Sequence, residues 1–353
     1  MDKKFFIGIA SMAALTLVSC SSDDLNSLSD NSSKNEAISF DGYLGRSAVA
    51  VNGTRGSVLD KDALQKLPET VGAFGVFGNY SKDATTAYGE NLFKNQKVFY
   101  SNLEWTYTPY KYWLPEGHID FLAYAPYDAT KTALTDSKIS FTVDEDIAKQ
   151  KDLLWANAAG QKQANNPVKF TFNHALSRLG YTVKLKKDCS DDVTITLKSI
   201  RLAGAADGTT PVFYKSGTID LSKINNEGLW SDQAGQQKFD WFSGDYKVNS
   251  STASHPDVNR EKDKDYLFVI PQDFSETTAG AVKLYVIVEY SIQYKDISEV
   301  FTNKVSKQII QKFEQGKAYT INLTIGRPID FDVNVVTGWD PADGTPIDID
   351  SWE

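Results

Sequence analysis

The chain has 353 residues, of which 41% are hydrophobic, 24% charged and 12% aromatic, the make-up of a folded protein and not of a collagenous or disordered one. Its length predicts two domains. Against 46 acidic residues there are 37 basic ones, a net charge of −9, and a chain so acidic excludes nucleic acid as a partner.

The N-terminus reads Met1-Asp2-Lys3-Lys4, an apolar run from Phe5 to Val18, then Ser19 and Cys20. This is an export signal, too short for a permanent membrane span. Its end, Leu17-Val18-Ser19-Cys20, resembles the bacterial lipobox, which makes residues 1–19 the signal peptide and Cys20 the lipidated first residue of the exported protein. Acyl chains contribute about 0.8 kcal/mol per buried methylene, so several of them predict a lasting membrane anchor. Residues 20–36, nearly all Ser, Asp and Asn, predict a flexible tether. The Ser21-Ser22-Asp23-Asp24 start of that tether looks like a surface-export signal of Bacteroidetes lipoproteins, which implies an outer-membrane, cell-surface location. With Cys20 in the leader, Cys189 has no partner for a disulfide framework.

From Ala37 onward, runs rich in Val, Ile, Thr, Tyr and Phe alternate with Gly, Asn, Asp and Pro clusters, the pattern of an all-β protein. Strands are expected over 38–44, 72–80, 96–101, 119–125, 138–143, 168–172 and 181–185. Further ones follow over 193–202, 266–270, 282–290, 318–325 and 331–336. Short helices are expected over 60–67, 144–156 and 174–179. A doubly wound sheet would need longer helices after most strands, so sandwiches account for the pattern better. The polar stretch 186–192 predicts the boundary, with an N-terminal β-sandwich over 37–188 and a C-terminal one over 189–353. The polar excursion 225–264 reads as an irregular insertion.

Catalytic patterns are missing. There is no Gly-x-Ser-x-Gly elbow, no phosphate-binding Gly-Lys-Ser/Thr loop and no His-Glu-x-x-His. His118, His174 and His255 lack ligand spacing, so neither metal nor cofactor is expected, and no enzyme activity. Asp144-Glu145-Asp146 reads as a solvated turn. The segment from Phe99 to Tyr127 holds ten aromatic residues broken by Pro109, Pro115 and Pro126. Their strand alternation points to a sandwich core, with a sugar-binding platform as the other reading.

Within that segment, Trp105-Thr-Tyr107-Thr-Pro109-Tyr110-Lys-Tyr112-Trp113 and Asp120-Phe121-Leu-Ala-Tyr124-Ala-Pro126 closely resemble the fimbrillin family of Bacteroidetes, the subunits of type V pili. Phe74-Gly-Val-Phe77, Lys151-Asp-Leu-Leu-Trp155-Ala156, Phe172-Asn-His174-Ala-Leu-Ser-Arg178-Leu179 and Gly316-Lys-Ala-Tyr319-Thr-Ile321 agree in order. The resemblance implies two transthyretin-like sandwiches, export as a lipoprotein, and maturation by an Arg-specific protease that removes the lipidated segment with the first strand. It also implies fimbrial subunits as partners, each filling its neighbour's vacated groove by strand addition.

On this chain the removable strand would be the one with Ile38, Phe40 and Tyr43, and the cut would follow Arg55 or, second, Arg46, both beside small residues. Ile347, Ile349 and Trp352 near the C-terminus form a candidate donor strand, with docking on their own domain as the alternative. A second function stays open: a surface lipoprotein or tip adhesin that binds glycan or host protein through its aromatics, with Trp230, Trp241 and Tyr246 in the insertion as the residues to watch.

Overall fold

A computed structural model describes residues 36–44, 65, 73–186, 192–224, 228–249, 251–252, 254, 266–326 and 331–337. The chain is all-β, and among the described residues no helix is long and apolar enough to cross a membrane. A seven-stranded sheet is built from β1 (Phe40–Leu44), β2 (Phe74–Ser81), β3 (Phe93–Ser101), β4 (Glu104–Thr106), β5 (His118–Ala125), β7 (Leu154–Gln161) and β8 (Val168–His174). Its order is β1-β8-β7-β5-β2-β3-β4.

The middle of this sheet is buried on both faces, and the alternation of its side chains says where each goes. In β5, Ile119, Phe121, Ala123 and Ala125 enter one core with Phe74 and Val76, while Leu122 and Tyr124 enter a second core with Phe77 and Trp155. The first core lies where the sheet rolls on itself. The second continues into the C-terminal strands.

Those strands form β6-β11-β12 (Lys138–Thr142, Phe213–Asp220, Trp230–Gln237) and the four-stranded order β13-β10-β16-β17 (Phe239–Val248, Val193–Ala203, Leu284–Tyr294, Val300–Ile309). A further sheet has the order β14-β9-β19-β20 (Leu267–Val269, Ser177–Leu185, Ala318–Ile325, Phe331–Thr337), and β15 (Gln272–Asp273) pairs with β18 (Lys312–Phe313). Among the described strands, three pairings join elements on either side of residue 188: β6 with β11, β9 with β14 and β9 with β19. In β10 the buried set changes parity, from Ile195 and Leu197 to Ile200 and Leu202. A bulge between Leu197 and Ser199 absorbs the extra residue and returns both halves to one core.

Two expected helices are strands. Over 144–156 only a single 3-10 turn forms, Ile147–Lys149, capped by Asp146, whose Oδ1 accepts the amide of Ala148 at 3.0 Å. The apolar run behind it is β7, whose Leu154 and Trp155 go to opposite cores. A strand buried on both faces loses the period-two signal. Residues 174–179 end β8 and begin β9. The expected helix over 60–67 lies outside the described residues except Gln65. The excursion 225–264 is not irregular where described: it holds β12 and β13, paired with β11 and β10. Strand β12, Trp-Ser-Asp-Gln-Ala-Gly-Gln-Gln, is a mostly exposed edge held by its main chain, so it carries little apolar pattern.

Candidate functional site: the seat of the first strand

Residues 36–44 are held on two sides in succession, residues 36–38 on one and residues 39–44 on the other. On one side β1 runs parallel to β8, from Phe40 opposite Val168 to Leu44 opposite Phe172, and the amide of Val168 donates to the Ser39 carbonyl at 2.8 Å. On the other, Ala37 bridges Tyr112 in antiparallel fashion, the Ile38 amide donates to the Lys111 carbonyl at 2.8 Å, and the Trp113 amide donates to the Glu36 carbonyl at 3.1 Å. The segment therefore joins β8 to the chain that follows β4 and closes the N-terminal core.

Two polar side chains fasten it. The Tyr107 hydroxyl donates to the Ile38 carbonyl at 2.8 Å and accepts the Lys111 amide at 3.2 Å. Asn166 uses both ends of its amide. Its Oδ1 accepts the amide and hydroxyl of Ser39, each at 2.9 Å, and its Nδ2 donates to Glu36 Oε1 at 2.7 Å and the Ala37 carbonyl at 3.1 Å.

The buried positions are two apart: Ile38, Phe40 and Gly42. Phe40 is 4% exposed. Its ring lies 5.6 Å from Phe93, 5.4 Å from Tyr107, 5.5 Å from Phe121 and 5.7 Å from Phe170, the offset and edge-on distances that aromatic pairs prefer. At Gly42 the strand crosses Trp105 and Phe172, each 3.5 Å from where a Cβ would stand. Filling this socket with Phe40 is worth about 1.5–3 kcal/mol in apolar transfer. The site binds an extended main chain with an apolar side chain at every second residue.

Of the residues singled out by sequence, Ile38 and Phe40 sit in this seat, and Tyr43 pairs through its main chain with Thr171. Cys20, Arg46, Arg55, Ile347, Ile349 and Trp352 lie outside the described residues, as do Cys189 and His255. Asn166, Tyr107 and Lys111 were not anticipated as its fasteners. The Asn166-Pro167 dipeptide signals a turn but not what the turn holds.

The other candidates are structural. His118 Nε2 lies 3.1 Å from Asp120, whose carboxylate also accepts the amides of Ala87 at 2.8 Å and Gly160 at 2.6 Å. His174 Nδ1 lies 2.7 Å from Asp152, both buried. Half of the ten aromatics in the segment are core, with Trp105, Tyr107, Trp113, Phe121 and Tyr124 buried, Phe99, Tyr100, Tyr112 and Tyr127 half-buried and Tyr110 exposed. Trp241 is buried against Tyr181, ring centroids 4.8 Å apart, and Trp230 is half-buried with its Nε1 donating to the Ala175 carbonyl at 2.8 Å. Tyr246 hydrogen-bonds Ser254 through its hydroxyl at 2.7 Å. A buried indole offers no platform to a sugar.

The described residues form an all-β chain whose best-formed seat holds an extended segment of the chain itself, an arrangement that by fold alone names no chemistry. Comparison with known proteins supplies the class: the fimbrillin-like family matches residues 68–339, and the chain belongs to that family of structural fimbrial subunits, which are not enzymes and whose place is the cell-surface fimbrium. It is 25% identical to fimbrium subunit Fim1C of Phocaeicola vulgatus over 362 aligned positions, covering 89% of this chain and 90% of that one. Its fold resembles the crystal structure of a fimbrial protein from Bacteroides vulgatus, with a TM-score of 0.65 at 19% identity, covering 87% of this chain and all of the other.

Proposed function

We propose that the chain is exported as a lipoprotein through Cys20, anchored at the outer membrane, cleaved after Arg55 or Arg46, and polymerised by strand exchange. The observation that carries this reading is the seat of residues 36–44, where residues 36–38 bond the chain around Lys111, residues 39–44 bond β8, and Phe40 fills an aromatic socket. Both arginines fall between the end of β1 at Leu44 and the start of β2 at Phe74. A cut there would leave β1 attached by non-covalent contacts alone. Its departure would expose the edge of β8 and the Phe40 socket, and an extended segment of another subunit with apolar residues two apart would satisfy both. Ile347 and Ile349 have that spacing. Two transthyretin-like lobes meeting near residue 188 belong to the same reading, with β6 and β9 lent by the first half to sheets of the second.

Intact mass and N-terminal sequencing of protein shed from, and retained on, native cells test it. Species beginning at Ser47 or Gly56 and lacking lipid are expected in the shed fibre. If every species begins at acylated Cys20, cleavage and strand exchange are wrong for this subunit.

A further inference from the structure

Where β3 and the residues after β5 face β6, the surface opens into a cavity of about 480 Å³, the size that takes a small organic ligand. Its walls are Pro126, Tyr127, Ile139, Phe141 and Leu153. Ile139 and Leu153 are 3% and 1% exposed, so the floor is anchored in the core, while Tyr127 and Phe141 are half-buried and present ring surface. Phe141 is braced edge-on by Trp230, 6.3 Å away.

The lining is basic in an acidic protein. The lining carries three lysines, Lys97, Lys131 and Lys151, and one carboxylate, that of Asp128, on a chain whose net charge is −9. Asp128 is engaged by Lys131 at 3.6 Å, and Lys97 Nζ lies 5.8 Å from the Tyr127 ring centroid. Lys151 is exposed and makes no ion pair among the described residues. Apolar walls beside more ammonium groups than carboxylates select a ligand with a planar apolar body and one negative charge, since the rings take the body, and half-buried Lys97 together with exposed Lys151 takes the anion.

We propose that this cavity binds a small aromatic carboxylate, its ring between Tyr127 and Phe141 and its carboxylate at Lys151 and Lys97. Lys97 belongs to β3 of the seven-stranded sheet, whereas Ile139 and Phe141 belong to β6, which pairs with β11 of the C-terminal half. A bound ligand would thus tie the two halves together, independently of how subunits join.

The test titrates the full chain with 2-naphthoate and with its neutral counterpart 2-naphthamide, read by saturation-transfer NMR and ligand fluorescence. Saturable 2-naphthoate binding is expected, with the amide at least about tenfold weaker. Lys151→Glu, at an exposed position, should weaken 2-naphthoate about tenfold or more. Ala129→Trp, also exposed and on the cavity lining, should abolish binding by filling the space. Unchanged melting temperatures establish that both variants fold. No saturable binding up to about 1 mM, equal affinity for acid and amide, or unchanged affinity in either variant would each overturn the proposal.

Discussion

Asn166 reaches across 127 residues of sequence to hold Ser39, its Oδ1 accepting both the amide and the hydroxyl of Ser39 at 2.9 Å. Its Nδ2 donates to Glu36 and Ala37, so one side chain fixes the entry of the first strand, on the N-terminal side of its ladder with β8. Asn166→Ala removes the partner of two part-buried main-chain groups, the Ser39 amide and the Ala37 carbonyl. The expected loss is about 1–3 kcal/mol, with amide hydrogen exchange accelerating in residues 36–44 more than in β5. Uniform exchange across both segments would mean that Asn166 does not act on this strand in particular.

Phe40 contacts four aromatic rings. Its truncation leaves a cavity that rigid rings on several strands fill poorly. Phe40→Ala should cost about 3–5 kcal/mol in urea denaturation of the uncleaved chain. In protein nicked between residues 44 and 74, the same substitution should release the N-terminal piece, followed by size-exclusion chromatography, where the wild-type piece stays bound. A loss below about 1 kcal/mol would show that the socket contributes little.

Tyr124 joins the stability of the second core to pH. Burial pushes its phenol well above the usual tyrosine range, outweighing the lowering effect of the Asp128 and Asn95 hydrogen bonds. Because the folded value is the higher one, the neutral phenol is favoured by folding. That contribution is fully present below the unfolded value near 10 and is lost as pH rises above it. Stability should fall by up to about 1.4 kcal/mol per pH unit above pH 10 through Tyr124, and Tyr88 and Tyr319, also raised by burial but partly screened by solvent, steepen the fall by less. Tyr124→Phe should cost about 1 kcal/mol at neutral pH through the lost bonds to Asn95 and Asp128 and should flatten the alkaline slope. An unaltered slope in the variant would assign the pH dependence to other groups.

Trp241 separates packing from recognition. Buried against Tyr181, it should cost about 3–5 kcal/mol when replaced by Ala, read as a fall in melting temperature. A solvent-facing sugar platform would give a variant of wild-type stability.

The fold class was legible because most strands bury one face. In β8, Val168, Phe170, Phe172 and His174 alternate with exposed residues, a pattern readable one strand at a time. Strand β7 was not legible: Leu154 and Trp155 serve two cores on opposite faces, so its apolar run matches a helix as well as a strand. Strand β12 was missed for the opposite reason, because hydrogen bonds to β11 hold an edge whose side chains mostly face water.

At the candidate site the same division holds. The spacing of Ile38 and Phe40 in the sequence marks an extended segment with one apolar face, because alternation is a local property of the chain. What receives that face was decided only in three dimensions. The Phe40 socket gathers rings from positions 93, 107, 121 and 170, and the clamp comes from position 166. Sequence alone thus determined an all-β chain with an amphipathic first strand. Tertiary structure decided that this strand runs parallel to β8 and closes the N-terminal core, since pairing between segments far apart depends on which faces remain to be buried once the rest of the sheet has formed.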